Sequence, residues 1–154
     1  MGKLTFIMLK PDAIQRHLED EILSMFNEKG IHVVKAKTVV VAEPLILKHY
    51  EEVIGRVNIP DFPTRICNDF VGKTVRVFEL TSTSGDLVHE VRELVGVTDP
   101  AKAGKDTIRG KYAADSMEDA KRELRMVRNL IHASDTEDNA KREIKLWFRD
   151  ISSK

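Results

Sequence analysis

The sequence predicts an α+β fold in which helices cover a four-stranded antiparallel sheet. Its 154 residues suit one domain, four short runs are rich in strand-forming residues, and segments with helical periodicity separate those runs. The order is strand, helix, strand, helical excursion, strand, helix, long loop, strand, helix. This order is the split β-α-β arrangement of ferredoxin-like folds, and we expect residues 1–154 to form a single domain.

The first half of the chain predicts strands at residues 3–9 and 31–41. The first run is apolar and stops near Pro11, and the second is β-branched and partly alternating. Between them, apolar residues recur at helical spacing as far as Gly30, which suits a left-handed helix end. A second helix begins at Glu43-Pro44, because proline is favoured in a first turn.

The third strand is predicted at residues 74–80, where side chains alternate as in a sheet covered on one side. Residues 55–71, before it, mix patterns and indicate a loop with a short helix. Residues 85–95, after it, are amphipathic and predict a helix. Residues 97–110 then form a long loop of a kind that is usually functional.

Capping patterns mark the starts of the last two helices. Ser116-Met117-Glu118-Asp119 predicts the start of a charged helix that runs to about Val127. Ser134 with Glu137 predicts the start of the final helix. Residues 130–132 lie between these helices and form the last short strand.

Composition and charge exclude several classes of function. Lysine plus arginine number 25, as do aspartate plus glutamate, so no net charge attracts a polyanion. Hydrophobic residues make up 42% and charged residues 32%, which argues against disorder and membrane spanning. Cys67 is the single cysteine, which excludes an internal disulfide and suits a reducing compartment. Since the N-terminus carries no signal pattern, we expect a cytoplasmic protein without nucleic-acid or membrane partners.

Four polar side chains stand where a packed domain does not need them, namely Lys10, Arg92, Arg109 and His132. Taken singly, each has an ordinary structural explanation. Lys10 could end a strand, Arg92 could stabilise a helix C-terminus, Arg109 could form a surface ion pair, and His132 could be a hydrogen-bonded core residue. Together they suit a phosphoryl site, since Lys and Arg bind phosphate and a neutral imidazole can accept a phosphoryl group. The chain has no P-loop and no Gly-x-Gly-x-x-Gly, so side chains would have to bind the phosphate.

Four separated motifs resemble those of nucleoside diphosphate kinases. They are Phe6–Arg16, Thr107–Gly110, Asn129–Asp135 and Glu143–Phe148. The turn Gly96–Pro100 is also similar to the loop that lies beside the subunit contact in that family. The resemblance covers nearly the whole chain in order, and it is weakest at residues 55–71 and 111–128.

The resemblance implies that the chain transfers the γ-phosphoryl group of a nucleoside triphosphate to a nucleoside diphosphate. A phosphohistidine on His132 would link two half-reactions, with ping-pong kinetics. ATP and other nucleoside tri- and diphosphates would be the partners, and stacking of the base would give broad base tolerance. Mg²⁺ would arrive with the nucleotide, held through its phosphates with no protein ligand. The resemblance also implies a homo-oligomer.

The resemblance assigns roles to side chains around His132. In these roles Glu143 orients His132 with Ser134 relaying the contact, and Tyr50 supports the transferring phosphate. The implied catalytic residues are His132, Lys10, Tyr50, Asn129, Ser134 and Glu143. The implied nucleotide-binding residues are Lys10, Phe62, Arg92, Thr98, Arg109 and Asn129. Phe62 would stack on the base, and Phe70 is a competing candidate for that role.

Two features depart from the family pattern. Ala133 replaces the glycine that usually follows the histidine, and its methyl group would penalise a positive φ. Residues 111–128, called the excursion below, form a longer link than the family's common form. We expect the excursion to be a solvent-exposed helical insertion that takes no part in phosphoryl transfer.

Two other functions fit parts of the pattern. A nucleotide-sensing domain could keep the fold without turnover, but it would not need His132. A phosphocarrier charged by another protein would leave Lys10, Thr98 and Arg109 without a task.

Overall fold

The computed structural model describes residues 3–83 and 85–150. The ends of the predicted domain, residues 1–2 and 151–154, lie outside the described residues, as does Ser84. Four strands form one antiparallel sheet, as predicted, and they are β1 (Lys3–Leu9), β2 (His32–Val40), β3 (Thr74–Ser82) and β4 (Ile131–Ala133). Their spatial order is β2-β3-β1-β4, so β1 lies inside the sheet between β3 and β4.

Nine α-helices connect and flank the strands within the described residues. They are α1 (Pro11–Gln15), α2 (Glu19–Glu28), α3 (Glu43–His49), α4 (Glu51–Arg56), α5 (Phe62–Phe70), α6 (Leu87–Val95), α7 (Ile108–Tyr112), α8 (Met117–Arg122) and α9 (Glu137–Ile144). A 3₁₀ turn at Pro100–Lys102 lies in the predicted long loop, and a π-helical segment, Lys145–Asp150, continues α9.

The central strands β1 and β3 are largely buried on both faces, whereas the alternation of β3 predicted one covered face. Ile7 and Leu9 of β1 pack in one apolar cluster with α2 and α6, and Phe6 and Met8 pack in a second cluster with α3 and α5. Trp147 belongs to the second cluster and is fully buried. Side chains alternate across a strand, so the four consecutive apolar residues Phe6–Leu9 of this central strand pack in both cores.

The structure breaks the first predicted helix and shortens the charged one. His17 has a φ of +56°, which ends α1 and separates it from α2. Gly30 has the predicted positive φ, +76°, after α2. The charged helix ends at Arg122 instead of Val127, since Leu124 also takes a left-handed φ, +57°.

One of the two capping predictions is correct. The Ser116 hydroxyl accepts a hydrogen bond from the Asp119 amide at 3.1 Å and caps α8. The final helix begins two residues later than predicted, because the Thr136 hydroxyl caps α9 by accepting from the Asn139 amide at 3.0 Å. Ser134, predicted as that cap, donates its hydroxyl to Glu143 instead.

The excursion is mostly irregular, and a buried ion pair holds its two ends together. Arg125 donates to both carboxylate oxygens of Asp115, at 2.6 and 3.0 Å, and the Arg128 amide donates to the same carboxylate at 2.7 Å. The hydrogen bonds from Arg125 are the main cause that lowers the pKa of Asp115 to about 2. Within the excursion the expected exposed helix is limited mainly to α8, whose charged side chains are mostly exposed, whereas residues 123–128 are irregular.

No helix within residues 3–83 and 85–150 combines the length and apolar character that a bilayer span requires.

Replacing Asp115 with Ala is expected to lower the free energy of unfolding by about 2 kcal/mol, because three charge-assisted hydrogen bonds are lost. Urea unfolding monitored by circular dichroism measures the change. The control is Asp119→Ala, which removes a solvent-exposed pair with Arg122 and should cost less than about 0.5 kcal/mol. Equal losses in the two variants would contradict a structural role for the buried pair.

Candidate active site

A histidine and a carboxylate meet where β4 packs beside α9. His132 lies in β4 opposite Met8 of β1, and its side chain is one-fifth exposed. Its Nε2 lies 2.8 Å from Oε1 of Glu143, which is buried on α9. Ser134 Oγ donates to the same carboxylate oxygen at 2.5 Å. Glu143 thus contacts His132 as the resemblance implies, but Ser134 does not relay this contact, because its hydroxyl donates to Glu143, which reaches His132 directly.

The ionisation of Glu143 fixes the tautomer of the neutral histidine. Burial by itself raises the pKa of Glu143, but His132 and the hydrogen bonds from His132 and Ser134 outweigh it and lower the pKa to about 2. An ionised carboxylate can only accept hydrogen bonds, so Nε2 of His132 is the donor. The lone pair of the neutral ring is then on Nδ1.

Lys10 is a buried cation held by an amide. Its Nζ donates to Oδ1 of Asn129 at 2.7 Å, and Nδ2 of Asn129 donates to the Thr98 carbonyl at 3.0 Å. Burial, and then the charge of Arg109, lowers the pKa of Lys10 to about 8. Lys10 therefore remains largely protonated at neutral pH.

Arg109 and Arg92 use backbone carbonyls as acceptors. Arg109 donates to the carbonyls of Ile131 at 2.6 Å and Gly96 at 3.0 Å. Burial, and then the charge of Arg92, lowers the pKa of Arg109 to about 10, so it stays cationic. Glycine at position 110 lets the backbone pack closely against Gly104, because a Cβ there would lie 1.9 Å from the Gly104 carbonyl oxygen.

One cavity of about 1080 Å³ joins most of the predicted site residues. It is lined by Lys10, Tyr50, Phe62, Arg92, Thr98, Arg109, Asn129, His132 and Glu143. Ser134 is buried behind Glu143, and Phe70 is buried against Tyr50, with ring centroids 5.8 Å apart. Burial raises the pKa of the Tyr50 hydroxyl, so it stays neutral.

The departure at Ala133 carries no backbone penalty. Ala133 lies within β4, and it is not among the described residues with a positive φ. Leu130 is the strained residue of this turn, with a φ of +74°. The Leu130 amide donates to Oδ2 of Asp12 at 3.0 Å, and its carbonyl accepts from the Lys10 amide at 2.8 Å. Asp12, which sequence reasoning missed as a site residue, thus helps to hold the turn that presents Asn129.

His49 is a second histidine that sequence reasoning missed. Its ring lies edge-on to His132 with centroids 4.5 Å apart, and burial lowers its pKa to about 3. Nε1 of Trp147 donates to Nδ1 of His49 at 2.9 Å. The only sequence signal for a buried His49 was weak: it lies three positions after Ile46, on the apolar face of α3.

A nitrogen of His49, a nitrogen of His132 and an oxygen of Glu143 lie within 4.8 Å of one another, a set that could ligate zinc. The donor from Trp147 argues against this role. The hydrogen bond from Trp147 needs the lone pair of His49 on Nδ1, so Nε2 of the neutral His49 ring carries the proton and cannot bind a metal. Glu143 is already engaged by His132 and Ser134.

Replacing Glu143 with Gln is expected to reduce the loss of stability in acid. The folded pKa, about 2, lies below the unfolded value of about 4.3, so the carboxylate's contribution is complete above about pH 4.3 and is lost as the pH falls towards 2. Urea unfolding from about pH 6 to about pH 2.5 should therefore show a smaller decline in this variant than in the wild type.

The control for this measurement is Glu137→Gln, at an exposed carboxylate paired with Lys3. It should retain the wild-type acid dependence. A decline in Glu143→Gln as large as in the wild type would contradict the role given to the carboxylate.

Comparisons with known proteins identify the family. Residues 3–152 match the family described as nucleoside diphosphate kinase. A nucleoside diphosphate kinase of Methanosphaera stadtmanae is 39% identical over 150 residues, which are 96% of this chain and 87% of the relative. A nucleoside diphosphate kinase of Saccharomyces cerevisiae is 36% identical over 145 residues, which are 94% of this chain and 84% of the relative. A nucleoside-diphosphate kinase from Borrelia burgdorferi, solved as a transition state mimic with bound vanadate and ADP, superposes with a TM-score of 0.89 at 30% identity and covers 97% of this chain and 89% of its own. The chain therefore belongs to the nucleoside diphosphate kinase family.

Proposed function

We propose that His132 carries the phosphoryl group in the reaction of this family, the transfer of a γ-phosphoryl group from a nucleoside triphosphate to a nucleoside diphosphate through a phosphohistidine. The observation that supports this role most strongly is the hydrogen bond between His132 Nε2 and the ionised Glu143, which leaves the ring's lone pair on Nδ1. His132 also lines the cavity that contains Lys10, Arg92 and Arg109.

In the first half-reaction the Nδ1 lone pair forms a bond to the γ-phosphorus, and the bond from that phosphorus to the bridging oxygen breaks. The electron pair leaves with the nucleoside diphosphate. The phosphorylated ring keeps its Nε2 proton and gains positive charge, which the Glu143 carboxylate offsets at 2.8 Å. The second half-reaction reverses these steps towards a new diphosphate.

We infer that the cations bind the phosphates and stabilise charge on the equatorial oxygens. Arg109 already donates to three backbone carbonyls and Lys10 to Asn129, so little ordering is needed when a nucleotide binds. The Tyr50 hydroxyl is neutral, which suits support of an anionic phosphoryl group by a hydrogen bond. Thr98 lines the same part of the cavity.

Phe62 is the better candidate for stacking on the base. It lines the cavity at the start of α5, whereas Phe70 packs against Tyr50 and lies under Lys10, whose Nζ is 5.9 Å from its ring centroid. A stacked base is not read on its hydrogen-bonding edge, so the site tolerates different bases.

We infer that Mg²⁺ enters with the nucleotide and is held through its phosphates. The donor set fits this arrangement, because Lys10, Arg92 and Arg109 repel a free cation and Glu143 is engaged by His132 and Ser134. Bound to phosphate oxygens, Mg²⁺ neutralises part of their charge. Cys67, half-buried and unpaired, suits the reducing cytoplasm, where we expect the protein to act.

We also infer a homo-oligomer. Strand β2 is an edge of the sheet, and it exposes Val33, Val34 and Val40 by 42, 48 and 66%. An open edge with exposed valines is a surface for pairing with another chain. A second copy of this chain would cover it.

His132→Ala is expected to reduce phosphoryl exchange from ATP to GDP to background while leaving the circular dichroism spectrum unchanged, because no other nucleophile replaces the ring. ATP labelled at the γ-phosphorus should label the wild type, without any diphosphate acceptor, at an acid-labile and base-stable site. The label should then pass to added GDP.

The control is His89→Ala, at an exposed histidine on α6. It should keep both labelling and exchange. Label that persists in His132→Ala would refute the assignment, and a wild type that takes label but never passes it to a diphosphate would favour the phosphocarrier.

Light scattering of the wild type is expected to give a mass that is a multiple of 17.5 kDa. Val34→Lys combined with Val40→Lys should lower that mass, since two charges would have to be buried at the edge of β2. Leu4→Lys alters an exposed residue on β1 and is the control. A wild-type monomer with full activity would contradict the inferred oligomer.

A further inference from the structure

We propose that Met117 and Leu124 of the excursion contact the outer edge of the nucleobase, so that the excursion contributes to base binding and to differences in affinity among bases. This inference rests on the proposed nucleotide site. It assigns a task to two residues that lie outside the family motifs.

The excursion lines the cavity that holds His132. Met117, Ala120, Leu124 and Met126 all border it, together with Lys10 and His132. Its volume of about 1080 Å³ slightly exceeds the usual range for small-molecule sites. A nucleotide can therefore reach the excursion while its phosphates lie near Lys10.

Three carboxylates hold the excursion in place. Asp99 Oδ1 accepts from the Met117 amide at 3.1 Å, and Asp69 Oδ2 accepts from the Met126 amide at 2.8 Å. Asp115 binds Arg125 through two hydrogen bonds. These contacts order the wall before a ligand arrives, which reduces the entropy cost of binding.

The two proposed contacts are apolar side chains that folding leaves uncovered. Met117 is 42% exposed and Leu124 is 66% exposed. Leu124 also holds a φ of +57°, a conformation that leucine rarely adopts. Its side chain gains little from the fold, but a ligand in the cavity could cover it.

The chemistry of the cavity assigns this wall to the base. Lys10, Arg92 and Arg109 lie at the phosphoryl end, whereas Ile59, Pro60 and Phe62 supply apolar surface elsewhere on the lining. The excursion also contributes Glu118, Lys121 and Arg125 to the lining, and Arg125 is paired with Asp115 and Glu123. A purine has more area than a pyrimidine to cover these side chains, so it gains more from the contact.

Isothermal titration with ADP, CDP and inorganic pyrophosphate tests the proposal. Met117→Ala combined with Leu124→Gly should weaken ADP binding by about 3- to 10-fold, weaken CDP binding less, and leave pyrophosphate binding unchanged. Glycine accepts the positive φ at position 124, so the Leu124→Gly variant alone should melt no lower than the wild type while it binds ADP more weakly.

Arg122→Ser is the matched control, because Arg122 lies on α8 in an exposed pair with Asp119. It should bind all three ligands like the wild type. Unchanged ADP affinity in the double variant overturns the proposal, and so does an equal loss for ADP and pyrophosphate, which would mark a phosphate contact.

Labelling of His132 by ATP in the same variants separates this proposal from the proposed function. The wall variants should still take label at saturating ATP. Labelled variants with wild-type ADP affinity would overturn only the role of Met117 and Leu124. A wild type that takes no label would overturn the function of His132.

Discussion

The chemistry proposed for this protein depends on a buried hydrogen bond between α9 and β4, from Nε2 of His132 to Oε1 of Glu143 at 2.8 Å. A buried carboxylate resists ionisation, and here the donors His132 and Ser134 reverse that effect and keep its pKa near 2. The ionised oxygen determines which histidine nitrogen carries the proton. It also places a negative charge where a phosphorylated ring would become positive. One contact therefore sets the orientation, the tautomer and the charge balance of the proposed nucleophile.

The two apolar clusters explain how this contact is held rigid. Side chains of β1 pack in both clusters, and β4 pairs with β1 so that His132 lies opposite Met8. On one side of the sheet, Trp147 packs with Phe6 and donates to His49, whose ring lies against His132. Burial keeps His49 neutral, so it adds no positive charge beside the proposed nucleophile. The core thus limits the motion of the ring without competing for its lone pair.

The cations of the cavity are organised by neutral acceptors. Lys10 binds the Asn129 amide, and Arg109 binds the carbonyls of Gly96 and Ile131. Burial, and then the charge of a neighbouring arginine, lowers the pKa of Lys10 and Arg109, so the arrangement is electrostatically costly without an anion. Bound phosphates would relieve this repulsion. In the proposed function, binding energy would be concentrated at the phosphate contacts, and the proposed apolar wall would adjust affinity for the base.

The sequence by itself determined the four strands, the ferredoxin-like order and the family, because strand periodicity and short motifs such as Lys10-Pro11-Asp12 are local patterns. It also proposed the residues that line the cavity. The tertiary structure decided what periodicity cannot report. It broke the first helix at His17, ended α8 at Arg122, moved the final cap from Ser134 to Thr136, and turned the excursion towards the cavity. It also brought His49 beside His132. The placement of His49 and the contact of Lys10 with Asn129 rest on hydrogen bonds between distant residues, 98 positions apart for Trp147 and His49 and 119 for Lys10 and Asn129, and such partners leave no local pattern in a single sequence.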